Sequence, residues 1–152
     1  MSDQTESSIG IDAPAHVVMD VIADLEAYPE WNEEFSRVDV LSVGDGPDQR
    51  PLEARVVLEA AFRDTFLLDY EWDGDSEVRW TLAEEAQLLR RLDGAYLLGD
   101  NGDGTTQVTY RLSVELKVPM IGMFKHKAEK IVIERALRGL KKRVESEEKP
   151  GP

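Results

Sequence analysis

The sequence has no cysteine, which excludes a disulfide framework, a thiolate metal site and a thiol nucleophile. Histidine is nearly as scarce: His16 and His126 are the only two, and they give no His-rich metal spacing. Neither a Gly-x-Ser-x-Gly elbow nor a glycine-rich phosphate loop occurs. The acidic turn Asp100-Asn-Gly-Asp-Gly-Thr105 lacks the ligand alternation of a calcium loop, and Arg111 stands where a closing glutamate is needed. No metal and no cofactor are therefore expected, and any catalysis has to use scattered cavity groups. No uninterrupted apolar run approaches the roughly 18 residues of a membrane span, so stable membrane insertion is not expected. The opening Met-Ser-Asp-Gln-Thr-Glu-Ser-Ser8 is acidic and polar, unlike a secretory signal. The expectation is a soluble cytoplasmic protein.

What is present is a globular composition: 152 residues, 41% of them hydrophobic, enough for one domain spanning 1–152 with a proper core. The net charge of −13 is segregated. Residues 1–116 hold 26 acids and 8 bases; residues 117–152 hold 5 acids and 10 bases, and every lysine lies at 117 or later. So negative a field repels phosphate backbones, which argues against nucleic acid. The basic tail is either a solvated helix face lying over an acidic body or a docking face for an acidic partner or anionic lipid; no particular protein partner is indicated.

The basic tail is also the longest pattern in the chain. From Pro119 to Glu145 the apolar positions recur at helical spacing. Ile121, Phe124, Ala128, Ile131, Val132, Ala136 and Leu140 share one face; Lys127, Lys130, Glu134, Arg138 and Lys141 share the other. Pro119 suits a first helical turn. Ahead of it, Ser8–Asp12 reads as a strand, Asp12 as a cap with Pro14 in the first turn of a helix, and Tyr28-Pro-Glu-Trp31 as a tight second helical turn. Arg37–Val43 is the next strand. From Leu52 the period is two. Leu52, Ala54, Val56 and Leu58 share one face, followed by Tyr70 and Trp72, Val78 and Trp80, Leu88 to Tyr96, and Val108 to Leu116, with hairpin turns at Asp73-Gly-Asp and Asn101-Gly-Asp-Gly. The fold class is α+β: a strand, a helix pair, six strands paired antiparallel through short links, and a long helix.

Several of these segments resemble a known family. Ile11-Asp-Ala-Pro-Ala15, Val21-Ile-Ala-Asp24 and Tyr28-Pro-Glu-Trp31 are similar to the opening of the START-like, helix-grip (SRPBCC) superfamily, within it the polyketide cyclase/dehydrase and lipid-transport group. Val78-Arg-Trp-Thr-Leu82, Leu92-Asp-Gly-Ala-Tyr96 with Gly104-Thr-Thr-Gln-Val-Thr-Tyr110, and Leu140-Lys-Lys-Arg-Val-Glu145 follow in the same order. The resemblance covers nearly the whole chain. It implies a curved antiparallel sheet of about seven strands gripping the long helix, with a cavity between them. It does not assign catalytic positions.

The strand face assigned inward is rich in rings: Tyr70, Trp72, Trp80, Tyr96 and Tyr110. Such rings either fill the core or line a site for a mostly apolar ligand with a few oxygens. Arg90 shares the parity of Leu92 and Tyr96, so it either points inward to pair with Glu129 or an acidic ligand, or is turned outward by a bulge. Gly94 marks a bulge or a close approach. His126, Lys125 and Glu129 fall within one helical turn, either as an acid–base cluster or as helix-edge charges; His16 is expected to be exposed. The expected ligand-binding set is Tyr70, Trp80, Arg90, Tyr96, Tyr110, Phe124 and Ala128, with Gly139 as a thin spot that leaves room and Trp31 as structural packing near the mouth. The leading function is binding or transport of a small hydrophobic ligand: a lipid, quinone or polyketide-like compound. The alternatives are a polyketide cyclase, aromatase or dehydratase using Arg90, Tyr96, Tyr110 or His126, and a protein-interaction module using the basic helix face.

Overall fold

The computed structural model describes residues 4–59, 63–117 and 122–148, with the side chains of the last helix described from Lys125 to Ser146. Among the described residues there are seven strands: β1 (Thr5–Ile11), β2 (Phe35–Val43), β3 (Pro51–Glu59), β4 (Arg63–Asp73), β5 (Glu77–Leu82), β6 (Leu89–Asp100) and β7 (Thr106–Leu116). Helix α1 (Ala15–Ala23) and a 3₁₀ helix (Leu25–Glu30) stand between β1 and β2, and α2 (Gly122–Glu148) follows β7. The expected segment 118–121, with Pro119 and Ile121, lies outside the described residues.

All strands pair antiparallel in one sheet of order β1-β7-β6-β5-β4-β3-β2. Each neighbour from β2 to β7 follows its predecessor in sequence, as short hairpin links require. Only β1 is non-sequential, pairing with β7 from Thr5↔Leu112 to Ile11↔Thr106. Helix α2 packs against β1, β7 and α1. This is the helix-grip arrangement expected from the resemblance.

Local chemistry differs from the expectation at several places. Pro14, not Asp12, is the N-cap of α1; it makes no side-chain cap bond, and the Asp12 N–H instead donates to Glu145 Oε2 on α2 at 2.9 Å. Pro29 lies inside the 3₁₀ helix, not at its end. Leu52 is exposed, not inward: Pro51 and Ala54 are buried on either side of a parity slip, and opposite them β2 has register shifts between Val40 and Ser42 and between Ser42 and Val43. A one-residue slip turns every side chain on that strand segment to the other face.

The face assigned to α2 is rotated from the true core face. The deeply buried positions are Ile133, Ala136, Leu137, Leu140 and Val144, whereas Ile131 is 42% exposed. Ile131, Ala128 and Val132 still line a cavity, so the helix carries two adjacent apolar strips, one packed and one lining. A pattern read from sequence averages the two into one broad arc. Gly139 does not leave room for a ligand either. A Cβ there would come within 2.2 Å of the Trp31 carbonyl oxygen, so the glycine lets α2 rest on the backbone that follows the 3₁₀ helix.

Truncation at the two strips should therefore differ. Ile133→Ala is expected to cost about 3 kcal/mol by chemical denaturation, because it leaves a cavity in the packed strip. Ile131→Ala is expected to cost less than about 1 kcal/mol, since that side chain already meets solvent.

Candidate functional site

The site grows from sheet register. Tyr70 faces Trp80 across β4–β5, Trp80 faces Gly94 across β5–β6, and Tyr96 faces Tyr110 across β6–β7. Facing residues share one side of a sheet, so these rings form one aromatic wall. Ring centroids are 6.1 Å apart for Tyr70–Trp80, 5.4 Å for Trp80–Tyr96, 5.6 Å for Trp80–Tyr110 and 4.7 Å for Tyr96–Tyr110. The Trp80–Tyr110 pair meets edge-on at 78°, the geometry that ring quadrupoles favour. Gly94 is the close approach, not the bulge: a Cβ there would sit 2.2 Å from Trp80 Cε2, so the indole lies flat over bare backbone.

Between this wall and the N-terminal half of α2 lies a cavity of about 540 Å³. Tyr70, Trp80, Tyr96 and Tyr110 line it from the sheet, and Ala128 lines it from the helix. Leu112, Phe66, Leu68, Tyr28 and Phe35 extend the apolar lining. Among the lining residues Leu58, Leu88 and Leu116 are partly exposed and Ile131 is exposed. The side chain of Phe124 lies outside the described residues. Trp72 is not in the lining; its ring stacks beside Tyr70 at 6.1 Å and 16°, and its Nε1–H donates to the Pro51 carbonyl.

Arg90 is not in the lining either. The ladder slips between Leu89 and Arg91, which leaves Leu89 buried and turns Arg90 out to Glu115 Oε1 at 3.2 Å on the exposed surface. The outward bulge weighed from sequence is what occurs. His126 is half-exposed at the helix edge: Nδ1 is 3.0 Å from Thr5 Oγ1 and 3.3 Å from Glu129 Oε1, and it does not line the cavity. His16 is exposed in the first turn of α1. Trp31 packs on Tyr28 with centroids 4.9 Å apart, under Gly139 and away from the main lining. Its Nε1 is buried without a hydrogen-bond partner among the described residues.

Two buried carboxylates also line the cavity. Glu129, 2% exposed, accepts from Thr5 Oγ1 at 2.6 Å and from the Val114 N–H at 2.9 Å, so it pins α2 to β1 and β7. Lys125 donates to the Val114 carbonyl at 3.1 Å beside it. Glu34, 4% exposed, is paired with Arg135 Nη1 at 3.2 Å. Sequence reading missed Glu34 and Arg135. Arg135 was legible, seven residues beyond Ala128 on the same helical strip. Glu34 gave no signal, because it lies in the irregular turn before β2, where no periodicity operates. Asp64, also missed, is buried and accepts from the Leu88 N–H at 2.9 Å, which fixes the loop carrying two lining leucines.

All four tyrosines are held protonated beyond their usual range. Burial is the main cause for Tyr70, Tyr96, Tyr110 and Tyr28; neighbouring tyrosines add to it for Tyr28, Tyr70 and Tyr96, and the Glu34 charge adds to it for Tyr110. Tyr28 donates to the Ile22 carbonyl. Among the described residues no hydrogen bond engages the hydroxyls of Tyr70, Tyr96 or Tyr110, and none of the three is a fully enclosed unpaired atom, so they open onto the cavity. No cluster of metal-ligating side chains occurs among the described residues, and no described helix is long and apolar enough to cross a membrane.

A tyrosine whose pKa is raised by folding binds its proton more tightly in the native state. Its contribution is complete below the unfolded value of about 10 and is lost as pH climbs toward the folded value. Stability should therefore fall progressively above about pH 10, with tyrosinate absorbance rising together with unfolding. Tyrosinate appearing gradually in a still-folded protein would show that the hydroxyls are not shielded.

The polyketide cyclase / dehydrase and lipid transport family matches residues 11–141 of the chain. A START superfamily protein from Mycobacterium smegmatis superposes with a TM-score of 0.86 at 22% identity, covering 94% of this chain and 97% of the other. A Thermus thermophilus protein gives 0.81 at 23% identity, covering 96% and 99%. An aromatase/cyclase from Streptomyces gives 0.79 at 16% identity, covering 98% and 97%. A search of curated protein sequences finds no match. With the family matching most of the chain and the sheet gripping its helix over an apolar cavity, this protein belongs to the polyketide cyclase / dehydrase and lipid transport family.

Proposed function

We propose that the protein binds a small, mostly apolar ligand between the sheet and the N-terminal half of α2, as a carrier or sensor. The observation that carries this reading is the cavity of about 540 Å³, walled by aromatic rings and aliphatic side chains. Its size falls among sites for small molecules, commonly about 300–1,000 Å³. Burying apolar surface there is favourable at about 25 cal/mol per Å² before the costs of association.

Binding is favoured over cyclase or dehydratase chemistry by the positions of the candidate groups. Arg90 and His126 stand outside the cavity, which removes two of the four proposed proton movers. Tyr96 and Tyr110 remain, and their raised pKa values suit donating hydrogen bonds better than abstracting protons. The basic helix face, with Lys127, Lys130, Arg138 and Lys142 exposed, is the lead for a protein-interaction role, but Arg143 and Arg135 of the same helix pair with Glu30 and Glu34 of the acidic body. That pairing favours the solvated-face reading.

Trp80 fluorescence reports directly on an occupant. Titration with apolar aromatic and long-chain probes should give saturable quenching. Ala128→Phe, which fills the helix side of the cavity, should weaken binding by about tenfold or more while the thermal midpoint changes little. Equal affinity in a folded Ala128→Phe variant would place the ligand elsewhere.

A further inference from the structure

The polar groups inside the cavity are not balanced. Glu129 receives a hydroxyl at one carboxylate oxygen and a backbone N–H at the other, so both of its oxygens are engaged. Glu34 differs. Among the described residues its carboxylate receives one hydrogen bond, from Arg135, whose side chain is 57% exposed. A carboxylate offers about four acceptor sites, and an unfilled one away from water is costly. Glu34 and Tyr110 both line the same cavity. Around them stand the hydroxyls of Tyr70, Tyr96 and Tyr110, which have no hydrogen-bond partner among the described residues.

Building on the cavity-binding reading, we infer that Glu34 is the specificity-determining residue of the site, and that it selects neutral ligands carrying a hydroxyl, phenolic or enolic O–H, over carboxylates of the same shape. The ligand O–H donates to the free acceptor of Glu34. Its remaining oxygens accept from the tyrosine hydroxyls. An acidic ligand meets the Glu34 charge in an apolar enclosure where like charges repel strongly. Arg135 and Lys125 also line the cavity, but each is engaged by a protein acceptor, Arg135 Nη1 by Glu34 Oε1 at 3.2 Å and Lys125 Nζ by the Val114 carbonyl at 3.1 Å. Rejection of this kind, by a buried polar group left in conflict, discriminates more sharply than apolar contact does. Free fatty acids and aromatic acids are thereby poor ligands, and hydroxylated ring compounds good ones.

Three probes of one shape test this: naphthalene, naphthol and naphthoate, titrated calorimetrically at neutral pH into wild type, Glu34→Gln and Arg135→Gln. In wild type, naphthol should bind about tenfold or more tighter than naphthoate. Water already favours the neutral probe, so the decisive quantity is the change in that ratio. Glu34→Gln keeps the shape and removes the charge, and should narrow the ratio by about tenfold. Arg135→Gln leaves Glu34 without its cation, and should widen the ratio while naphthol stays within about threefold of wild type. Should Glu34→Gln not fold, the wild-type ratio and Arg135→Gln still decide. Naphthoate binding as tightly as naphthol to wild type, a ratio unmoved by Glu34→Gln, or one narrowed by Arg135→Gln overturns the inference. If naphthalene binds and the ratio fails, only the role of Glu34 falls. If none of the three binds, the cavity-binding reading falls and takes the inference with it.

Discussion

Helix α2 is held down at one end and held off at the other, and most of the molecule follows from that. Toward its C-terminus, Gly139 seats it directly on the Trp31 carbonyl, and Leu140 and Val144 are fully buried beside it. Toward its N-terminus, the aromatic wall of Trp80, Tyr96 and Tyr110 rises from the sheet, and Ala128 is the small residue facing it. Interiors pack to crystal-like density wherever side chains interdigitate. Here rigid rings packed against one another at tilted and edge-on angles cannot spread to meet the helix, so a space persists.

That space has to be held open against collapse. Glu129 does part of this: its bonds to Thr5 and Val114 fix the height of the helix above β1 and β7. Gly94 does another part, by letting Trp80 lie flat so that the wall is one ring thick and not folded into the cavity. The buried carboxylates are tolerated because each is paired among the described residues, Glu129 with two donors and Glu34 with one. The inequality between them separates a structural acid from one with capacity left for a ligand.

The charge segregation of the chain is resolved within the fold. Arg135 and Arg143 on α2 meet Glu34 and Glu30 of the segment that links α1 to β2. The long helix is therefore attached to the acidic body by charge along one flank and by apolar packing along another. The Arg143–Glu30 pair, with Glu30 largely exposed, adds little stability by itself, whereas Arg135 offsets the cost of burying Glu34. Their common effect is orientational, holding the rotation of the helix that presents Ala128 and Val132 to the cavity.

Periodicity and turn chemistry were legible in the sequence, because both are local. The alternation in Tyr70-Glu71-Trp72 and Val78-Arg79-Trp80, the Asn101-Gly102 and Asp73-Gly74 turns and the long amphipathic pattern each predict an element that is present, and the parity of Tyr70, Trp80, Tyr96 and Tyr110 predicts the aromatic wall. Parity fails wherever a ladder slips, and a slip depends on the neighbouring strand: hence Arg90 and Leu52 point away from where their own segments place them. Helical spacing fails to separate a packed strip from a cavity-lining strip, since both are apolar; burial in the tertiary structure distinguishes Ile133, fully buried, from Ile131, 42% exposed. The pairing of Glu34 with Arg135 spans 101 residues. No local rule reaches that far, so the polar chemistry of the cavity was decided by the tertiary structure alone.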